Sequence, residues 1–227
     1  GDGVSNVTVA SAAGVGQNMT NVGITSGAGN VTLKGGAYKV GADFNSITLG
    51  DGAHDVTLKS VTGTATQAAN ITLADGIAKD QKLTIESTAN NFKYTGADGK
   101  EDVLVKGTVS NSAIDLGNGV NNFTAARADS GGLFTIGQTL TNVKIDGGTG
   151  DNTIYAGAYK AGATNNSITL GDGVNKVTLS SVTGYNATTR ALMNLGLAAG
   201  TAANNQELLV KGAVNGMDYT GAIGVDK

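Results

Sequence analysis

The chain is expected to form an all-β parallel solenoid, a column in which each coil lies on the one before. Three observations predict it. Short alternating strands recur on a nine-residue beat: Ile47 and Leu49 are followed by Val56 and Leu58, Val22 and Ile24 by Val31 and Leu33, Ile114 and Leu116 by Phe123 and Ala125, and Ile168 and Leu170 by Val177 and Leu179. Turns rich in Gly, Asp and Asn separate the pairs, as in Gly50-Asp51-Gly52-Ala53-His54-Asp55. A fixed short period of strand plus turn is the mark of stacked coils. Finally, aromatic residues are 4% of the chain, Trp is absent and Gly numbers 36. That is little bulk for a sandwich core, but enough for the narrow strip of Val, Ile, Leu and Ala that a coil encloses.

The remaining composition agrees. Proline is absent, so every backbone N–H can join a ladder. Charged residues are 15%, below the usual quarter, so Thr, Ser, Asn and Gln must cover the surface. The net charge of −3 carries no basic patch, which argues against a nucleic-acid partner. No apolar run approaches the roughly 20 residues that span a bilayer, so membrane insertion is not expected. Cysteine is absent, a trait shared with many bacterial proteins exported unfolded. No signal peptide is legible, and Gly1 sits in what reads as a repeat turn, so the chain is expected to be a processed product or a piece of a longer one.

Along the chain, the beat sits inside a duplication. Gln17 to Lys39 matches Gln138 to Lys160, and Asn45 to Gly63 matches Asn166 to Gly184, both at an offset of 121. Leu104-Val105-Lys106-Gly107 matches Leu209-Val210-Lys211-Gly212 at 105, and Gly1 to Thr8 resembles Gly117 to Thr124. One solenoid domain, 1–227, is therefore expected, made of two tandem modules at about 1–116 and 117–227. Two strands and two turns should make a coil of roughly 18 to 24 residues, and about ten coils at ~4.8 Å each give a rod near 50 Å long. Loops should project where the spacing widens, among them Gly36 to Lys39, Gly157 to Lys160 and Asn186 to Gly200. The last reads as a short helix, with Asn186 as N-cap and Leu192, Met193 and Leu195 packed inward. Gly, Asn and Asp suit the corners because they reach φ > 0 cheaply. Inward Asn can also bond to the coil above.

One turn fits a known frame. Gly147-Gly148-Thr149-Gly150-Asp151-Asn152-Thr153-Ile154-Tyr155 follows the nonapeptide G-G-x-G-x-D-x-U-x, with Asp151 one place early. Gly50 to Leu58 fits more loosely, and Gly27 to Leu33 has lost its acid. On these motifs the chain resembles the degenerate RTX-like repeats of bacterial type I-secreted surface proteins, of the S-layer and large-adhesin types. The resemblance implies a right-handed wind, secretion to the cell surface and Ca²⁺ held in the Gly/Asp turns. Calcium takes six to eight oxygens, and the candidate ligands are Asp2, Asp51, Asp55, Asp146, Asp151 and Asp172. The alternative for each is an Asx bond that caps its own turn.

Other chemistry finds little support. His54, the only histidine, is expected to face solvent from its turn. The Gly-x-Gly patterns precede no helix, which excludes a dinucleotide site. Two arginines, Arg127 and Arg190, and dispersed acids do not resemble the groove of a β-helix enzyme, so no enzymatic activity is expected. Tyr38, Lys39, Tyr159 and Lys160 recur in equivalent places, as contact points or as tyrosines packed over a coil corner. Asn-x-Ser/Thr sequons arise here from composition, so no glycosylation is inferred. The function expected is a structural, self-associating surface scaffold that contacts other copies of itself end to end or laterally, because neither end reads as a cap. A binding module is the other reading, for glycans or for ice. Ice would need in-register outward threonines such as Thr32, Thr48, Thr57, Thr153, Thr169 and Thr178, and the uneven loop spacing is expected to interrupt their ranks.

Overall fold

The computed structural model describes residues 3–9, 16–42, 46–74, 80–164, 166–184, 192–197, 205–221 and 225–226. Among them, 25 short strands join one sheet wound as a right-handed parallel β-solenoid. The exception to parallel pairing is Ala126–Arg127 against Ile136–Gly137. No helix is long and apolar enough to cross a membrane among the described residues.

Each coil carries three strands, where two were expected. Val31–Gly35 lies on the first face and Ala37–Lys39 on the second, both in one strand bent at Gly36, and Ser46–Leu49 lies on the third. Successive rungs of the first face bring Ser5, Val31, His54, Gln81, Glu101, Asn121, Asn152, Asn175, Gln206 and Asp226 into register. The interval is 20 residues between Glu101 and Asn121 and 31 between Asn121 and Asn152. The extra residues of the longer coil leave at a corner and rejoin the stack at the same level.

The core is a set of vertical columns, because an in-register parallel stack places each inward residue over its counterpart. On the third face Ile24, Ile47, Ile71, Tyr94, Ile114, Ile145, Ile168 and Leu195 form one column. On the first face Leu33, Val56, Leu83, Val103, Phe123, Ile154 and Val177 form another. The second face gives one inward side chain per rung, from Met19, Tyr38 and Val61 to Ala89, Val109, Leu140, Tyr159 and Val182. Bulk is shared out along a column: Phe92 stacks between Ala69 and Ser112. Burial of each such Leu, Ile, Val or Phe stabilises the column by about 1.5–3 kcal/mol.

Two corners repeat with distinct backbone. Between the second and third faces, Asn21, Asn91, Asn111 and Asn142 all take left-handed φ of 47–58°, and Gly216 takes φ 69° in the corresponding corner. Asn bears this conformation at low cost. Their amides also climb the edge: Asn142 Nδ2 donates to Asn111 Oδ1 at 2.8 Å, and Asn111 Nδ2 to Asn90 Oδ1 at 3.1 Å. Between the third and first faces stand the Gly-x-Gly turns, described below.

Two further expectations are corrected. Met193–Leu197, placed in a helix, is a strand on the third face, because Met193, Leu195 and Leu197 alternate inward on a two-residue period; Asn186 lies outside the described residues. Gly36 to Lys39 and its copy do not project: Tyr38 and Tyr159 stand in strands of the second face, fully buried. Their hydroxyls donate to the carbonyls of Val22 and Val143.

Burial of these phenols has a consequence at high pH. Desolvation pushes the Tyr38 hydroxyl up to about 12 and raises that of Tyr159 as well. Both folded values lie above the unfolded value near 10. Their contribution is therefore intact below about pH 10 and is lost as pH rises from about 10 through about 12. Thermal melts between pH 8 and 12 should show the wild-type Tm falling more steeply above pH 10 than that of the Tyr38→Phe/Tyr159→Phe variant. Parallel pH profiles would contradict this.

Candidate functional site

The Gly-x-Gly corner is where the predicted acidic residues were expected to meet. Gly50-Asp51-Gly52, Gly117-Asn118-Gly119, Gly148-Thr149-Gly150 and Gly171-Asp172-Gly173 stack there. A Cβ at Gly119 or Gly150 would run into the carbonyl oxygen of the Gly one coil below, at φ +127° and +117°. This close approach, which recurs at Gly52 and Gly173, is why the corner uses glycine.

The acids do not converge. Asp151 Oδ1 accepts from the Val174 N–H of the next coil at 2.7 Å. In the other module Asn30 Oδ1 accepts from the Ala53 N–H at 2.9 Å. Asn30 and Asp151 are equivalent at the offset of 121, so the position works without a charge. Asp146 pairs with Lys144 at 2.5 Å on the outside of the third face. Asp55 points out from the first face, in register with Lys82. Asp51 and Asp172 stand at the middle of their corner turns, and Asp2 lies outside the described residues. Among the described residues no group of three or more His, Asp or Glu is gathered as a ligand set. Backbone and amide bonds hold these turns.

Just inside this corner runs a polar column. His54, Gln81, Glu101, Asn121, Asn152, Asn175 and Gln206 stack inward, each at most 2% exposed. The single histidine is therefore a core residue, against the expectation that it faces solvent. Asn121 Nδ2 donates to Asn152 Oδ1 at 3.1 Å, and Asn152 Nδ2 to Asn175 Oδ1 at 2.9 Å. Each also reaches back to its own corner: Asn175 Nδ2 bonds Gly171 O at 2.8 Å, and His54 Nε2 lies 2.6 Å from Gly50 O. Gln is one methylene longer and bonds the coil below instead, Gln81 to Gly52 O and Gln206 to Gly173 O. Glu101 Oε1 accepts from the Ala97 N–H at 3.1 Å. The column thus satisfies corner carbonyls that would otherwise be buried without donors.

One concave feature of the outer surface lies on the first face. Residues 127–138 leave the stack and fold back over it. Asp129 organises this segment: Oδ1 accepts from the N–H groups of Gly131 and Leu133, and Oδ2 from the Thr135 hydroxyl. Those bonds, the Thr135 hydroxyl first, hold its carboxyl below the ordinary range. The Tyr155 hydroxyl donates to Thr135 O and ties the segment to the face. Beneath it is a cleft of about 410 Å³ lined by Lys82, Asp102, Leu104, Thr124, Phe134 and Tyr155. Lys82 and Asp102 are in register on adjacent rungs, as are Leu104, Thr124 and Tyr155. Lys106 Nζ stands 5.5 Å from the Phe134 ring centre and is paired with Glu86 at 2.6 Å. Lys211 Nζ stands 6.0 Å from the Tyr155 ring centre. The sequence does not predict this cleft, although it carries one signal. At the offset of 121, Tyr155 stands in the place of Lys34, so this aromatic breaks the repeat.

The threonine ranks also differ from expectation. Thr25, Thr48, Thr72 and Thr95 stand in unbroken register on the third face, because uneven loops do not disturb the stack. The rank ends by substitution, at Asp115 and Asp146. Comparison with known proteins found no matching family model, no matching curated relative and no matching solved structure. The class defined by fold and site is thus a repeat-built, three-faced parallel β-solenoid with an outer cleft.

Proposed function

We propose that the chain is a structural scaffold of a bacterial cell surface that associates with copies of itself end to end. The observation that carries this reading is the state of the core columns at the outermost rungs. Val7 is 37% exposed where Leu33, one rung inward, is fully buried. Val214 is 50% exposed beyond Val182, and Tyr219 37% exposed beyond Leu195, both of which are 1% exposed. Apolar ends that carry strand edges favour addition of a further rung.

The internal junction supplies a template for that addition. Ser5 to Thr8 corresponds to Asn121 to Thr124, and Gln206 to Lys211 corresponds to Glu101 to Lys106. Inside the column, Val103 pairs in register with Phe123 and Leu104 with Thr124. By the same register, Leu208 of one copy receives Val7 of the next, and the incoming Ser5 takes the place opposite Gln206 that Asp226 of the same chain holds in a single copy. The extracellular setting rests on the resemblance to secreted surface repeats and on the neutral, hydroxyl- and amide-rich exterior.

The chain has no cysteine, so the contact can be tested cleanly. Val7→Cys and Leu208→Cys chains, mixed and oxidised, should cross-link to each other in preference to themselves. Neighbouring strands lie ~4.8 Å apart, inside the Cα separation a disulfide spans. A monodisperse monomer at all concentrations, with no mixed disulfide, would end the proposal.

A further inference from the structure

We propose that the cleft beneath residues 127–138 binds a pyranose unit of a neutral glycan. The inference is independent of end-to-end association, and each can fail alone.

The chemistry of the walls selects the ligand class. Phe134 and Tyr155 offer ring surface, Leu104 an aliphatic floor, and Lys82, Asp102 and Thr124 hydrogen-bonding groups. A ligand must therefore present an apolar face and several hydroxyls at once, and a sugar ring does both. Charge narrows the choice. Lys82, Lys106 and Lys211 oppose a cation, since two of them already stand over the aromatic rings. Asp102, on the floor, opposes an anion. An uncharged polyol meets neither objection, and a carboxylate beside an ammonium offers an acceptor and donors to neighbouring hydroxyls. The volume of about 410 Å³ lies in the range of small-molecule clefts, about 300–1,000 Å³.

The cleft is also preorganised. Its floor consists of strands in a stack, and its roof is fixed by the three bonds to Asp129 and by the Tyr155 hydroxyl. A site held in shape before binding loses less entropy on binding. The rungs alone do not call for Tyr155, because the other module builds the same rungs with Lys34 in its place.

Saturation-transfer NMR on the whole chain tests this. The probes are methyl glucoside, methyl galactoside, methyl mannoside and N-acetylglucosamine, with a uronic acid and glucosamine as charged comparators. Each is used at up to ~10 mM, tenfold above a Kd of ~1 mM. Transfer to the ring protons of at least one neutral sugar is expected, with weaker transfer to both charged ones. Phe134→Ala should weaken that binding tenfold or more. Asp102→Asn, on a rigid strand, should weaken it severalfold without altering the circular dichroism spectrum. The proposal is overturned if no neutral sugar shows transfer, if a charged comparator binds better, or if both variants bind as the wild type does.

Discussion

Replacing Asn152 with Ala should destabilise the column by about 3 kcal/mol or more, among the largest losses available to a single side chain here. Asn152 accepts from Asn121 Nδ2, and donates to Asn175 Oδ1 and to Gly150 O, the latter at 2.8 Å. Its removal strips partners from buried groups above, below and beside it, and water cannot replace them inside the stack. Asn152→Asp separates hydrogen bonding from shape. The side chain keeps its size but, when ionised, loses its donor and buries a charge against Asn175 Oδ1. Burial raises the pKa of such a carboxyl above the unfolded value near 4. The protonated Asp variant keeps one of the two donated bonds, so its loss should be smallest below about pH 4 and grow as pH rises through the folded value. Chemical denaturation at pH 4 and pH 8 measures both. An Asp variant equally stable at the two values, or an Ala variant within 1 kcal/mol of wild type, would contradict the ladder as described.

Gly119→Ala should be as damaging, for a steric reason. Its φ of +127° is outside what an L side chain adopts, and its Cβ would collide with the Gly99 carbonyl of the coil below. Strain of about 1–3 kcal/mol adds to the opening of the corner needed to relieve the overlap. Gly196→Ala is the control. At Gly196 the nearest atom to an added Cβ is Thr169 Cγ2 at 3.9 Å, an ordinary contact. There Ala should be neutral or stabilise by about 0.4–1 kcal/mol, through the unfolded chain. Similar melting temperatures for the two variants would show that glycine at the corner serves something other than close approach.

These two sites also mark how far the sequence can be read. The nine-residue beat is the third face followed by the first: Ile47 and Leu49, the Gly50-Asp51-Gly52 turn, then Val56 and Leu58. Both strands place two apolar side chains inward, so alternation is visible. The second face places one inward residue per rung, such as Val61 or Ala89, and one residue has no period. That face is illegible for this reason, and Tyr38 and Tyr159 read as loop residues. The inward asparagine ladder is legible as a possibility of the fold, but His54 is not. In sequence His54 follows Gly50-Asp51-Gly52 as a turn residue would, and only register shows that it shares a column with Gln81 and Asn175. Of the candidate acids, Asp151 reads as a ligand because it stands one place before the acid that the motif asks for. The equivalent Asn30 making the same bond shows that a carbonyl oxygen suffices. The cleft needs the fold-back of residues 127–138, which depends on the Asp129 carboxylate, and the first module has no acid between Thr8 and Gln17.

Since the pitch is set by the ladder alone, the height of a rung does not record how much chain was spent to reach it. The coil from Asn121 to Asn152 uses 31 residues and the one before it 20, yet both rise by one strand spacing. Such a protein can acquire new surface by lengthening a single detour while its neighbours keep every contact. A foreign peptide spliced into residues 127–138 would be displayed at a fixed altitude on an otherwise unaltered rack.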